Sequence, residues 1–63
     1  MNQIKKIRER KKLTQAKVAD LVGIAVLTYQ RYESGERVPN VYTGQKMAKS
    51  LGTTVEKLFP INT

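Results

Sequence analysis

The side chains of this chain that could do chemistry are mostly cationic. Twelve lysines and arginines stand against five aspartates and glutamates, giving a formal net charge of +7 at pH 7 and a pI near 10.1. The sequence contains no His and no Cys, so the commonest general base, the most reactive nucleophile and the usual zinc ligands are missing. We therefore predict no enzyme activity, no metal and no cofactor. The charge points to a polyanionic partner, with nucleic acid first and an anionic membrane surface second.

Two polar side chains near the middle of the chain have the right geometry for reading base pairs. The planar fork of Arg31 can donate two hydrogen bonds to guanine O6 and N7, and the Gln30 amide can bond adenine N6 and N7. A phosphate contact or a role in folding is the alternative for Arg31, and a solvated surface position is the alternative for Gln30. Neighbouring Val26 and Leu27 cannot hydrogen-bond a base, so in a groove they could only touch thymine methyl groups or exclude water.

Glycine and proline divide the chain into helix-sized segments, and no segment shows the sustained alternation of a strand. We predict an all-α fold with five helices in one domain, residues 1–63. The predicted helices span about residues 2–12, 15–22, 26–33, 41–51 and 55–58. Thr14, Asn40 and Thr54 are the predicted N-caps of the second, fourth and fifth helices. Gly23 is expected to turn the chain, and Ser34-Gly35 to end the third helix.

Helical periodicity assigns the faces of these helices. At about 100° per residue, Ala25, Thr28, Tyr29 and Tyr32 share one side of the third helix, and Val26, Leu27, Gln30, Arg31 and Ser34 share the other. The tyrosine side is the predicted core, since tyrosine rings bury a large apolar area. In the remaining helices the positions expected to face inward are Ile4, Ile7, Ala16, Val18, Ala19, Leu21, Val22, Val41, Met47, Ala48 and Leu51. Gly44 is expected to allow a close approach of a neighbouring helix, and Phe59 and Ile61 to close the core or to face a partner.

Residues 13–35 have the layout of a helix-turn-helix, in which two short helices joined by a turn place the second helix in the DNA major groove. The sequence resembles the lambda Cro/C1-type helix-turn-helix domains, also called the XRE family, over nearly the whole chain. The segment IKKIRERKKLTQAKVADLVGI is similar to the first two helices of that family, with Leu13-Thr14-Gln15, Ala19 and Gly23 at its signature places. TYQRYESGERVPN resembles its recognition helix and following loop, and MAKSLGTTVEKLF its last two helices.

The resemblance implies a compact five-helix lambda-repressor-like domain, with the helix-turn-helix at about residues 14–33. It implies binding to a double-stranded DNA operator as a homodimer, and a small bacterial or phage transcriptional regulator. We expect a repressor that occludes a promoter.

Residue by residue, the resemblance implies that Gln15 contacts a phosphate, that positions 26, 27, 30 and 31 face the groove, and that Arg8 pairs with Glu33. A solvated base is the alternative for Arg8. The full set of expected phosphate contacts is Gln15, Lys17, Thr28 and Arg37. Glu36 lies beside Arg37, where its charge does not help such a contact.

A protein-interaction module, such as an antitoxin or a partner-binding helix-turn-helix domain, is the alternative function. In that case Val26 and Leu27 would bind protein; an exposed pair without a role is a third possibility. No apolar stretch reaches the 18 residues of a membrane span. The apolar run at 21–27 has only seven residues, Asp20 interrupts it upstream and no small-x-small cleavage site follows it, so we do not expect a signal peptide. The stripe of Ile4 and Ile7 is too narrow to fill the core and also enter lipid. We expect a cytoplasmic protein without a membrane partner or a small-molecule ligand.

Overall fold

In the computed structural model, which describes residues 2–61, the chain forms five α-helices and residues 2–61 contain no strand. They are α1 (Ile4–Arg10), α2 (Gln15–Val22), α3 (Val26–Ser34), α4 (Val41–Ser50) and α5 (Val55–Leu58). The Cα radius of gyration, 10.4 Å, is close to the value of about 10.6 Å expected for a folded domain of this length. The prediction of a compact all-α fold with five helices is confirmed.

Local side-chain signals set most of the helix ends. The side chains of Thr14, Asn40 and Thr54 each accept a hydrogen bond from the backbone N–H three residues later, at 3.0, 2.8 and 3.2 Å. Gly23 and Gly35 end α2 and α3 with φ of 83° and 85°, in the left-handed region that glycine adopts without steric cost. The predicted caps are therefore confirmed, and α3 runs one residue further than expected.

The first helix is shorter than the predicted span of residues 2–12. It begins at Ile4, whose N–H donates to Asn2 Oδ1 at 3.1 Å, so Asn2 acts as a capping side chain outside the helix. It ends at Arg10, because the chain turns through Lys12, which has φ of 59°. Asn2 Nδ2 also donates to the Tyr32 carbonyl at 2.9 Å, which fastens the start of the chain to α3.

All five helices contribute to one hydrophobic core. Its buried members are Ile4, Val18, Ala19, Val22, Tyr29, Met47, Ala48, Leu51 and Leu58. Tyr29 is fully buried and Tyr32 packs against the core, so the tyrosine side of α3 faces inward as predicted. Helix α2 packs against both α3 and α4 and therefore fixes where α3 lies.

Several positions expected to face inward do not. Val41 is 77% exposed, because the first turn of α4 lies at the surface, where Tyr42 is also exposed. Leu21 is 47% exposed and Ala16 is exposed, since both fall more than about 100° from the centre of the α2 face that is buried. Ala25, assigned to the tyrosine side of α3, is exposed just before the helix begins.

Two further expectations about packing have different outcomes. Gly44 is buried, but a Cβ atom built there would meet nothing within 4 Å, so the predicted close approach of a neighbouring helix is wrong. At the end of the described chain, Phe59 packs against the core, whereas Ile61 is 84% exposed. Within residues 2–61, no helix has the length and apolar character needed to cross a bilayer.

Candidate nucleic-acid interface

The candidate interface is built on α2 and α3, which are joined by a tight turn. The N–H groups of Gly23 and Ile24 both donate to the Ala19 carbonyl, at 2.8 and 3.0 Å, so the turn closes on the last residues of α2. Ile24 is half-buried and packs against the core, which holds the turn in place. The chain then enters α3 through Ala25, whose extended conformation suits an N-cap but whose methyl group accepts no hydrogen bond.

The side of α3 that points away from the core carries all four residues expected to face the groove. Val26 and Leu27 are 39% and 58% exposed, Gln30 is exposed, and the Arg31 side chain is 41% exposed. We call these four residues the outer face of α3. The structure brings them together on one surface, and their contacts with bases stay predictions.

A nearly buried ion pair joins α1 to α3 below this surface. Arg8 donates from Nε to Glu33 Oε2 at 2.8 Å and from Nη2 to Glu33 Oε1 at 3.2 Å. Its Nη1 donates to the Leu13 carbonyl at 2.7 Å, which also ties down the loop between α1 and α2. The Arg8 and Glu33 side chains are only 11% and 4% exposed. Such a bidentate, charge-assisted arrangement fixes the orientation of both groups.

The surroundings of this pair favour its charged state. Burial by itself would raise the pKa of the Glu33 carboxyl, but hydrogen bonds from Arg8 and Gln15 and the positive charge of Arg8 together hold that pKa below its usual value. The hydrogen bond to Glu33 likewise raises the pKa of Arg8. Beside the pair, burial raises the pKa of Tyr29, and the nearby Glu33 carboxylate raises it further. The Tyr29 hydroxyl has no hydrogen-bond partner among the described residues.

Two glutamines connect the ion pair to the outer face of α3. Gln15 Nε2 donates to Glu33 Oε1 at 3.0 Å, and Gln30 Nε2 donates to Gln15 Oε1 at 3.1 Å. An ionised carboxylate can only accept, so it fixes the amide of Gln15, and the Gln15 carbonyl then fixes the amide of Gln30. The Gln30 oxygen and one of its N–H bonds are left free for another partner. Sequence reasoning missed this relay, because residues 15, 30 and 33 meet only once α2 and α3 are packed.

A second ion pair lies at the end of the outer face. Glu36 Oε2 is 3.2 Å from Arg31 Nε, and the two side chains are 66% and 41% exposed. The loop that carries Glu36 is held by Ser34, whose hydroxyl donates to the Arg31 carbonyl at 3.1 Å and accepts from the Glu36 N–H at 3.3 Å. The sequence predicts Glu36 only as a neighbour of Arg37, because its pairing with Arg31 depends on how the loop folds back.

The residues expected to contact phosphates lie in different settings. Gln15 and Thr28 are half-buried, and Lys17 is exposed in the first turn of α2. Arg37 is exposed in the loop after α3, where its N–H donates to the Arg31 carbonyl at 3.2 Å.

A surface cavity of 320 Å³ also borders this loop, lined by Asn2, Gly35, Arg37, Val38, Phe59 and Pro60. Among residues 2–61, no acidic side chains cluster in a way that could hold a metal ion.

Comparison with known proteins places this geometry in a family. Residues 4–58 match the helix-turn-helix family. The cryptic phage CTXphi transcriptional repressor RstR of Vibrio cholerae serotype O1 is 40% identical over 45 residues, which is 71% of this chain and 40% of the relative. A second Vibrio cholerae RstR is 33% identical over 57 residues, covering 90% of this chain and 51% of that repressor. The uncharacterized HTH-type transcriptional regulator YqaE of Bacillus subtilis is 38% identical over 56 residues, 89% of this chain and 48% of the relative.

The chain thus spans about half the length of the curated relatives it matches, or less. The matched residues contain all five helices, including the two-helix unit and its turn. On these grounds the chain belongs to the Cro/C1-type, or XRE, family of helix-turn-helix domains.

Proposed function

We propose that this chain binds double-stranded DNA with α3 in the major groove and acts as a transcriptional repressor that occupies a promoter. The observation that carries the proposal is the outer face of α3, where the exposed Gln30 and the partly exposed Arg31 lie beside Val26 and Leu27. The family match and the repressor names of two relatives support it. The helix-turn-helix geometry supplies the mechanism, because its second helix enters the groove while the rest of the domain meets the backbone.

Each part of the outer face has a chemical role in this proposal. Arg31 donates two hydrogen bonds to guanine, and Gln30 presents its free amide oxygen and N–H to adenine. Val26 and Leu27 contact thymine methyl groups. The relay through Gln15 supports the role of Gln30, since an amide that is already oriented loses less entropy on binding.

The positive charge of the chain supplies the part of the affinity that does not depend on sequence. With a formal net charge of +7, the domain attracts DNA whatever its base sequence. Phosphate contacts from Gln15, Lys17, Thr28 and Arg37 then hold it in register. The logarithm of the binding constant should fall linearly with the logarithm of salt concentration, with a slope of about −0.9 for each phosphate charge neutralised.

A homodimer on DNA completes the proposal. Two copies would bind half-sites one helical turn apart, about 34–36 Å. Sedimentation of the protein with a duplex carrying one or two half-sites measures the stoichiometry. Two copies bound cooperatively to the palindromic duplex support the dimer, and independent binding to each half-site counts against it.

The main experiment selects bound duplexes from a random pool and compares Arg31→Ala with wild type on the selected duplex and on a scrambled duplex. If Arg31 reads a base, discrimination between the two falls by about 1–3 kcal/mol. Arg10→Ala is the matched control, since it removes the same charge from the exposed surface of α1. An equal loss on both duplexes would assign Arg31 to a phosphate. If wild type showed no saturable preference for any duplex, the regulator proposal would be dropped.

Binding to a protein through Val26 and Leu27 is the second candidate function, favoured by the exposed apolar pair at the start of α3. Replacing both with Ser distinguishes the candidates. Lost preference for the selected duplex supports contact with the groove. Unchanged DNA affinity supports a protein partner or no role for the pair.

A further inference from the structure

In the loop after α3, the carboxylate of Glu36 lies beside Arg31, the arginine of the outer face. Glu36 lies 3.2 Å from Arg31 Nε although the Glu36 side chain is largely exposed to solvent and the Arg31 side chain partly so. Gly35 turns the chain back with φ of 85°, and the Ser34 hydroxyl bridges the Arg31 carbonyl and the Glu36 N–H. The backbone of the loop therefore holds Glu36 near Arg31.

We propose that Glu36 is a specificity-determining residue that weakens the binding of Arg31 to phosphates more than its binding to a guanine edge. This inference rests on the proposed function and deepens it. Because the Glu36 carboxylate lies 3.2 Å from Arg31 Nε, its negative charge acts on any ligand that approaches the Arg31 guanidinium.

The physical reason lies in the charge of the two possible ligands. A phosphate that approaches Arg31 carries a negative charge, so it must compete with the Glu36 carboxylate and is also repelled by it. A guanine edge is neutral overall and offers two acceptors to the guanidinium, so it meets no such repulsion. Since an exposed ion pair is weak, it does not prevent Arg31 from turning to a base. Glu36 therefore penalises binding that is independent of sequence more than binding that reads a base.

The test compares Glu36→Gln with wild type on the selected duplex and on a scrambled duplex of the same length, over a series of salt concentrations. We expect the variant to bind the scrambled duplex about 2- to 5-fold more tightly at low salt, and the selected duplex less than 2-fold more tightly. The salt slope on the scrambled duplex should steepen by about 0.9, the value for one additional phosphate contact. Thermal unfolding followed by circular dichroism checks that the exposed substitution leaves the fold intact.

Two controls separate this effect from a general change of charge. Glu9→Gln removes the same charge from the exposed surface of α1 and should tighten binding to both duplexes by the same small factor. In an Arg31→Ala background, Glu36→Gln should lose its selective effect, because the group on which Glu36 acts is gone.

Each other outcome overturns the inference in a recognisable way. Weaker binding of Glu36→Gln to the selected duplex alone would show that Glu36 positions Arg31 for the base. Equal gains on both duplexes, or no change, would show that the carboxylate acts only as a background charge or not at all. If wild type bound neither duplex, the proposed function itself would fail, and this inference would fail with it.

Discussion

The sharpest prediction concerns how much the Arg8–Glu33 ion pair contributes to the free energy of unfolding. Replacing Glu33 with Gln keeps the size of the side chain and removes its charge. Arg8 then keeps its bond to the Leu13 carbonyl but loses the carboxylate that accepts from Nε and Nη2. Because the Arg8 side chain is only 11% exposed, water cannot fully replace that partner.

The magnitude follows from this burial. Removing one member of a buried ion pair costs about 3–5 kcal/mol, since the other charge stays buried and uncompensated. At about 0.05–0.15 kcal/mol per residue, a chain of 63 residues has a free energy of unfolding of about 3–9 kcal/mol in total. Glu33→Gln should therefore remove at least about a third of the stability, and all of it if the total lies at the lower end of that range. Gln15 and Gln30 should lose their fixed orientation with it, since Glu33 anchors their hydrogen bonds.

Urea unfolding followed by far-UV circular dichroism measures the effect, in a set of wild type, Glu33→Gln, Arg8→Met and the double variant Arg8→Met/Glu33→Leu. Both single variants should be strongly destabilised. The double variant should lie much closer to wild type or above it, because apolar side chains of similar volume leave no charge unpaired. A single-variant loss below about 1 kcal/mol, or a double variant no more stable than the less stable single variant, would refute this account of the pair.

Four smaller changes test other features of the fold. Gly44→Ala should stabilise the domain by about 0.8–1 kcal/mol in urea unfolding, since a Cβ there meets nothing within 4 Å; a loss would show that α4 has no room for it. Ala25→Ser should raise the unfolding free energy by about 1 kcal/mol by capping α3, which lacks a side-chain cap; an unchanged melting temperature would contradict it. Tyr29→Phe should change stability by less than about 1 kcal/mol, because the hydroxyl has no hydrogen-bond partner among residues 2–61; a larger loss would mean that it donates to Glu33. Stability measured against pH should hold above the usual carboxyl pKa of 4.5 and fall as pH drops through the lower pKa of folded Glu33; if the acid-induced loss is as large in Arg8→Met, the pair is not its cause.

The sequence by itself determined the helices and most of their ends. Thr14, Asn40 and Thr54 act on backbone groups three residues away, and Gly35 ends α3 through its own conformation. These effects are local, so pattern and residue type are enough to predict them. The helical wheel also placed Tyr29 on the side of α3 opposite the outer face. The period of an α-helix fixes the side on which each residue lies, and only one side of α3 is buried against the core. The family can also be recognised from the sequence alone, because its motifs are defined by residue types at fixed spacings along the chain.

Apart from the Arg8–Glu33 pair, which the family resemblance implied, only the tertiary structure decided which side chains from different helices meet. The relay from Glu33 through Gln15 to Gln30 depends on how α2 packs against α3. The pairing of Glu36 with Arg31 depends on how the loop returns after Gly35. Packing also left Val41 at the surface, against the expectation from periodicity, and left space at Gly44, where the close approach of a neighbouring helix was expected. A sequence pattern fixes the direction of a side chain around its own helix, whereas the neighbour it meets is set by the distance and angle between helices.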